Sequence, residues 1–356
     1  MPKKLNNRRL KKAIKRLQNL PKGKNFFLYL LNKTKHFYYK ATKSTKVAIP
    51  STIMLELSNL CNLRCTTCPR EYNYGKEMNK GVMKLEQAKK IIDEICPYID
   101  SIGLTGMGET LLFKEINEIT DYILSKNKGI IISFSTNAVL PDFIEISSNL
   151  INKVATIQIS IDGLNDTYEA IRLNAKFDVL DKNLRELSKL CQNTSTELML
   201  NMVVTKENYL QMPNMVSYAK EIGIKHFNFT PFNLTAVTDI SIDYYDFYRS
   251  ENFTNALQKL EYAIKETPEV SVSRWDFSGK SGFRKCPYPW THFYISWDGF
   301  AVPCCAKPFP KEFNFGNVFS DKFISVLNND LYRNFRRMWF KNETPDFCKK
   351  CNYIVG

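Results

Sequence analysis

The sequence predicts an α/β protein with a parallel sheet and a small α+β region at the carboxyl end. Three observations carry this. Between Thr52 and Thr230, short apolar strands alternate with segments of helical periodicity in six successive units, and such alternation gives parallel strands joined by right-handed crossovers. From Cys286 onward the composition shifts to aromatics and thiols around a hairpin signal. The 356 residues are enough for one large domain plus a smaller one. The expected boundaries are a basic arm over 1–46, an α/β domain over 47–270 and an auxiliary domain over 271–356.

The arm holds 15 Lys or Arg and no acid, so the other 310 residues, with 35 basic and 36 acidic, are near neutral. Leu5, Leu10, Ile14, Leu17 and Leu20 lie among its cations at nearly helical spacing. A basic amphipathic segment can lie on an anionic membrane, with Phe26-Phe27-Leu28-Tyr29-Leu30-Leu31 and Phe37-Tyr38-Tyr39 at the interface. It can also fold over the body as a solvated arm, or less readily contact nucleic-acid phosphates. The apolar run is too short to span a bilayer, and no signal-peptide cleavage site follows it. A reducing cytoplasm, with at most peripheral attachment to the inner membrane surface, is the expected location, because the ten cysteines are grouped in metal-like spacings.

Thr52-Ile53-Met54-Leu55-Glu56-Leu57 reads as the first strand, and it delivers Cys61, Cys65 and Cys68 at C-x3-C-x2-C spacing to the strand's carboxyl end. Thiolates suit iron–sulfur clusters or zinc. Three of them can hold three irons of a [4Fe–4S] cube and leave the fourth open, whereas structural zinc needs a fourth ligand, and none lies close in sequence.

A helix is expected from Leu85 to Ile95, closed by a packed thiol at Cys96. A short strand then runs into the turn Gly106-Met107-Gly108-Glu109. Next come a helix (Phe113 to Leu124), a strand (Gly129 to Ser135), a helix (Phe143 to Ile151), a strand (Val154 to Ile161), a helix (Leu180 to Cys191), a strand (Leu198 to Val204), a helix (Pro213 to Ile222) and a strand (His226 to Thr230). A tyrosine-rich connector, a helix (Asn255 to Lys265) and a strand (Val270 to Ser273) lead to Arg274. Facing a cavity, that guanidinium would recognise an anion or hydroxyl sooner than take a proton.

The cysteine loop and the strand before it resemble the radical S-adenosylmethionine (SAM) enzymes. The resemblance spans roughly Ala48 to Tyr353 and implies an open, TIM-like partial (β/α)6 barrel with functional groups at the carboxyl ends of its strands. It implies that SAM binds the open iron and is cleaved by one electron to a 5′-deoxyadenosyl radical. Gly106, Gly108 and Glu109 match the family's glycine-rich turn for the SAM amino group, with Met107 interrupting the glycines and Thr110 replacing the usual proline. Ser135 and Asn137, Ser160 and Asp162, and Thr205 stand where the family touches the SAM ribose and carboxylate. Arg172 matches an arginine that pairs with the carboxylate. Thr67 replaces a commonly aromatic residue, so adenine would rest on backbone or other apolar groups.

At the carboxyl end, Asp298-Gly299 is a strong hairpin turn between Phe293-Tyr294-Ile295-Ser296-Trp297 and Phe300-Ala301-Val302. Cys286 precedes the hairpin, Cys304 closes it, and Cys348 and Cys351 form a C-x2-C pair beyond a helix containing Leu331, Tyr332, Phe335 and Met338. Four such thiols can hold zinc or a second [4Fe–4S] cluster. The layout resembles the auxiliary domain called SPASM in its short, single-cluster form, with Cys305 as a spare packed thiol beside Cys304.

A four-cysteine cluster transfers electrons without binding substrate, so the resemblance implies a two-electron oxidation, with an external one-electron reductant such as flavodoxin or ferredoxin. A small polyol or sugar-like substrate is the first expectation, because peptide-modifying relatives often carry a leader-binding domain and a basic arm of 46 residues is too short for one. Peptide modification is the alternative. A non-catalytic metal scaffold binding membrane or RNA is the reading from another class. Three histidines and no phosphate loop, H-E-x-x-H or serine elbow leave little for other chemistries.

Overall fold

The computed structural model describes residues 20–233, 236, 244–275, 277, 286–349 and 351. Residues 1–19 of the arm, including Leu5, Leu10, Ile14 and Leu17, and part of the tyrosine-rich connector lie outside the described residues. The chain divides into two compact units, one of Met1–Leu60, Met78–Ser133 and Lys285–Lys349, the other of Cys61–Glu77, Phe134–Arg284 and Lys350–Gly356.

The strands are β1 (Thr52–Leu55), β2 (Arg64–Cys65), β3 (Ser101–Gly103), β4 (Ile131–Thr136), β5 (Thr156–Ser160), β6 (Arg172–Leu173), β7 (Glu197–Val204), β8 (His226–Pro231), β9 (Ser271–Arg274), β10 (His292–Ile295) and β11 (Ala301–Val302). In the first unit they lie in the order β11-β10-β1-β3, followed by the start of β4. All neighbours are parallel except the β10–β11 hairpin, where Tyr294 faces Val302 and Ile295 faces Ala301. The parallel pairing of Thr52–Leu55 with His292–Ile295 makes the carboxyl-terminal hairpin continue the sheet from the strand that feeds the cysteine loop. The shift in composition at Cys286 gives no hint of that continuity.

The second unit carries β5-β7-β8-β9 in parallel register and the small antiparallel pair β2–β6, in which Cys65 lies opposite Arg172. β7 and β8 alternate buried and half-buried positions. Leu200, Met202 and Val204 turn to the core, while Asn201 on the other face accepts a hydrogen bond from Asn228 at 2.8 Å.

Helices cover the sheets through apolar stripes. The helix Leu85–Ile95 buries Ala88, Ile91, Ile92 and Ile95 at i, i+3, i+4, i+7, and Phe177–Leu190 buries Phe177, Leu180, Leu184 and Leu187 at alternating steps of three and four, both the stripe of a core-facing helix. The Phe113 to Leu124 expectation shifts: Thr110–Leu112 is a 3-10 turn capped by Glu109, and the α-helix runs over Ile116–Lys126. Among the described residues no helix is long and apolar enough to cross a membrane.

Candidate active site

In the first unit, β1 is followed by Glu56, a fully buried carboxyl. Its Oε2 accepts from the Met107 backbone N–H and the Tyr294 hydroxyl, both at 2.7 Å, and its Oε1 accepts from the Trp297 N–H at 3.3 Å. Burial pushes the acid up to about 7; the Met107, Tyr294 and Trp297 hydrogen bonds pull it back, and Asp298 opposes them. Gly106 is glycine of necessity, because a Cβ there would strike the Glu56 side chain. Gly108 meets the same limit against the Leu60 carbonyl, and the Glu109 N–H donates to that carbonyl at 2.7 Å. The glycine turn is therefore packed on the residues that lead into the cysteine loop. The Glu109 carboxylate caps its own turn, accepting from the Leu111 N–H at 3.2 Å.

In the second unit, Cys61, Cys65 and Cys68 lie within one another's electrostatic reach. Burial pushes Cys65 up to about 12, and Arg172 is the largest influence pulling it back. Burial raises Cys68 too, against the backbone N–H and charge of Arg70. Arg172 Nη1 is 3.9 Å from the Cys65 sulfur, and its Nη2 is 2.9 Å from Asp162 Oδ2. Burial opposes the charge on Arg172, and Asp162 and Cys65 more than offset it, so the group stays cationic. Asp162 also accepts from the Val203 N–H at 2.8 Å. Asn137 donates to Asn62 Oδ1 at 2.8 Å and reaches the Cys61 sulfur at 3.8 Å. Ser135, Ser160 and Thr67 are half-buried, and Thr205 is buried, its N–H donating to Asn208 at 2.7 Å.

Arg274 lies in the second unit. It sits on the last strand of its sheet, partly exposed, and makes an ion pair of 2.6 Å with Glu261. Glu261 gives the guanidinium a counter-charge at the surface.

The auxiliary thiols are placed unequally. Cys304 and Cys305 both act electrostatically on Tyr294, and Cys304 on Tyr332 as well. Cys286 is half-buried in the wall of an apolar cleft, Cys348 is buried on the turn Asp346–Cys348, and Cys351 falls in the other unit. None of the ten cysteines is in a disulfide.

These donors fit an iron–sulfur group better than a lone ion. Among the described residues no three Cys, His, Asp or Glu side chains are arranged to hold a metal ion. Zinc draws its thiolates to about 2.3 Å from one centre, whereas a cube spreads them over separate irons. Beside Cys65, the Arg172 Nε and the Tyr168 hydroxyl are buried without a hydrogen-bond partner. Such orphaned donors suit an anionic group held at that place.

Comparison with known proteins decides the family. A model described as the radical SAM superfamily matches residues 55–219, and one described as an iron–sulfur cluster-binding domain, SPASM, matches 286–352. The chain is a radical SAM enzyme with a carboxyl-terminal SPASM domain. Its cofactors are SAM, a [4Fe–4S] cluster and SPASM iron–sulfur centres. Bound together, SAM and the reduced cluster supply a 5′-deoxyadenosyl radical able to take hydrogen from an unactivated C–H bond.

Among similar proteins, the antilisterial bacteriocin subtilosin biosynthesis protein AlbA of Bacillus subtilis (strain 168) is 24% identical over 91% of this chain and 69% of its own. Streptococcus suis SuiB, solved bound to precursor peptide SuiA, superposes with a TM-score of 0.66 at 19% identity, over 86% of this chain and 71% of that one. The structure anSMEcpe with bound AdoMet and Cp18Cys peptide gives 0.62 at 20% identity, over 84% and 85%. The radical SAM enzyme thus shares its α/β fold, a mostly parallel partial barrel with an appended SPASM domain, with both solved structures.

The sequence reading missed Glu56. Its signal was present: a charged residue inside an otherwise apolar strand run has to be matched by buried donors.

Proposed function

We propose that this radical SAM enzyme oxidises a peptide. The observation that carries the reading is the fold shared over most of its length with an enzyme solved on its precursor peptide, joined to the likeness to AlbA. These relatives favour a peptide over the small polyol-like substrate that the sequence alone suggested. In this reading Cys61, Cys65 and Cys68 hold the SAM-binding cluster, and Cys286, Cys304, Cys348 and Cys351 hold a second [4Fe–4S] cluster. An external one-electron donor supplies the reducing equivalent.

The chain's own residues bind and orient. Arg172, fixed by Asp162, offsets the negative charge that Cys65 takes on when it ligates iron. Gly106 and Gly108 let the turn backbone come close to Glu56, Asn59 and Leu60, and Glu56 holds that turn. Loaded with SAM and both clusters, the enzyme would take a hydrogen atom from a peptide carbon into 5′-deoxyadenosine, the second cluster would accept the remaining electron, and a proton would leave to solvent. The net change is the loss of two hydrogens, as in a crosslink or an oxidised residue.

The test is anaerobic incubation with SAM, a reductant and synthetic peptides from short reading frames beside the gene. A peptide lighter by two hydrogens, formed in step with 5′-deoxyadenosine, is expected. Deoxyadenosine formation stimulated by polyols and indifferent to every peptide would overturn the proposal.

A further inference from the structure

The helix Lys24–Ala41 is held by its polar face. Asn32 is its one buried residue, and its side chain exchanges two hydrogen bonds with the Ile49 backbone, at 2.8 and 3.0 Å. Tyr29 and Lys33 both bind Asp100, and His36 bonds to the Ile49 carbonyl. The opposite face is apolar. Phe27, Leu30, Leu31, Phe37 and Tyr38 follow one another at helical spacing, and Phe27 and Phe37 are 66% and 76% exposed. This inverts the usual arrangement of a surface helix, which turns its apolar stripe to the core.

Two further observations say what would cover such a face. Lys22, Lys24, Lys35, Lys40, Lys43 and Lys46 are all exposed around it, and no acid occurs before residue 47. At the helix's carboxyl end the stripe runs into a cleft of about 530 Å³, where Phe37, Tyr39, Trp290 and Phe340 form apolar walls and Lys40 and Lys43 stand with them. Cations beside an apolar slot complement a lipid phosphate and its acyl chain.

We infer that this helix docks the enzyme on an anionic membrane surface, lying in the interface with Phe27, Leu31 and Phe37 inserted and its lysines among the headgroups. The helix has 18 residues and is not long and apolar enough to cross a membrane, so in this inference it lies on the bilayer.

The holoenzyme, kept anaerobic, is sedimented with vesicles of phosphatidylcholine alone and of phosphatidylcholine with phosphatidylglycerol. Wild type should partition into the anionic vesicles and release at high salt. The Leu30→Ser, Leu31→Ser, Phe37→Ser variant should bind them about tenfold more weakly, with unchanged substrate-free SAM cleavage. A Lys35→Gln, Lys40→Gln, Lys43→Gln variant should lose the preference for phosphatidylglycerol. The inference fails if the apolar variant sediments as wild type does. It fails equally if wild type ignores both vesicles while the same substitutions abolish peptide binding or dissolve a dimer in sedimentation velocity. Because SAM cleavage and peptide oxidation in solution are read separately, failure here leaves the proposed function standing.

Discussion

Tyr294 donates its hydroxyl proton to Glu56 across 2.7 Å, joining residues 238 positions apart in a fully buried acid–phenol pair. Through this pair the SPASM hairpin grips the carboxyl that holds the Gly106-Met107 turn. Burial raises Tyr294 well above the ordinary phenol range, so the hydroxyl keeps its proton and remains a donor.

The folded Glu56 titrates near 7, above its ordinary 4.5. The folded state therefore binds this proton more tightly than the unfolded chain. The resulting stability is fully present below about pH 4.5 and is lost as pH rises through about 7, a swing on the order of 3 kcal/mol. Glu56→Gln should flatten the denaturant midpoint against pH across that window in apoprotein. An unchanged slope would remove Glu56 as its source.

Arg172→Ala should strand the buried Asp162 carboxylate. Removing one partner of a buried ion pair costs about 3–5 kcal/mol. The midpoint should fall accordingly, and iron content after reconstitution should fall with it. The double variant Arg172→Met, Asp162→Asn should recover much of the stability and little of the iron, which separates folding from cluster binding.

Gly108→Ala places a methyl group against the Leu60 carbonyl, the residue before Cys61. Backbone must move to admit it, so SAM affinity and cluster occupancy should both drop. Equilibrium binding of SAM to the reconstituted protein checks this.

Cys348→Ala should leave 5′-deoxyadenosine production measurable while oxidised peptide falls severalfold or more. Equal product yield would make the second cluster purely structural.

Local patterns were readable in the sequence. Cys61, Cys65 and Cys68 declare themselves because their spacing is short, and Asp298-Gly299 fixes its hairpin through the turn's own backbone preference. The helix Leu85–Ile95 follows from four apolar positions. What the sequence hid depends on distant chain segments. Glu56 acquires its role from Met107, Tyr294 and Trp297, and no periodicity links those four. Arg172 faces Cys65 only because β2 and β6 pair. The Arg274–Glu261 ion pair, between strand β9 and the helix Glu251–Glu266, is likewise a contact that no local pattern announces.

In the proposed function, Cys61, Cys65 and Cys68 hold three irons of the cluster and leave the fourth to SAM. Electron paramagnetic resonance of the anaerobic, dithionite-reduced enzyme, recorded before and after SAM is added, tests that directly. The expected result is a changed cluster signal in wild type that is absent from Cys65→Ala. A wild-type spectrum indifferent to SAM would contradict it.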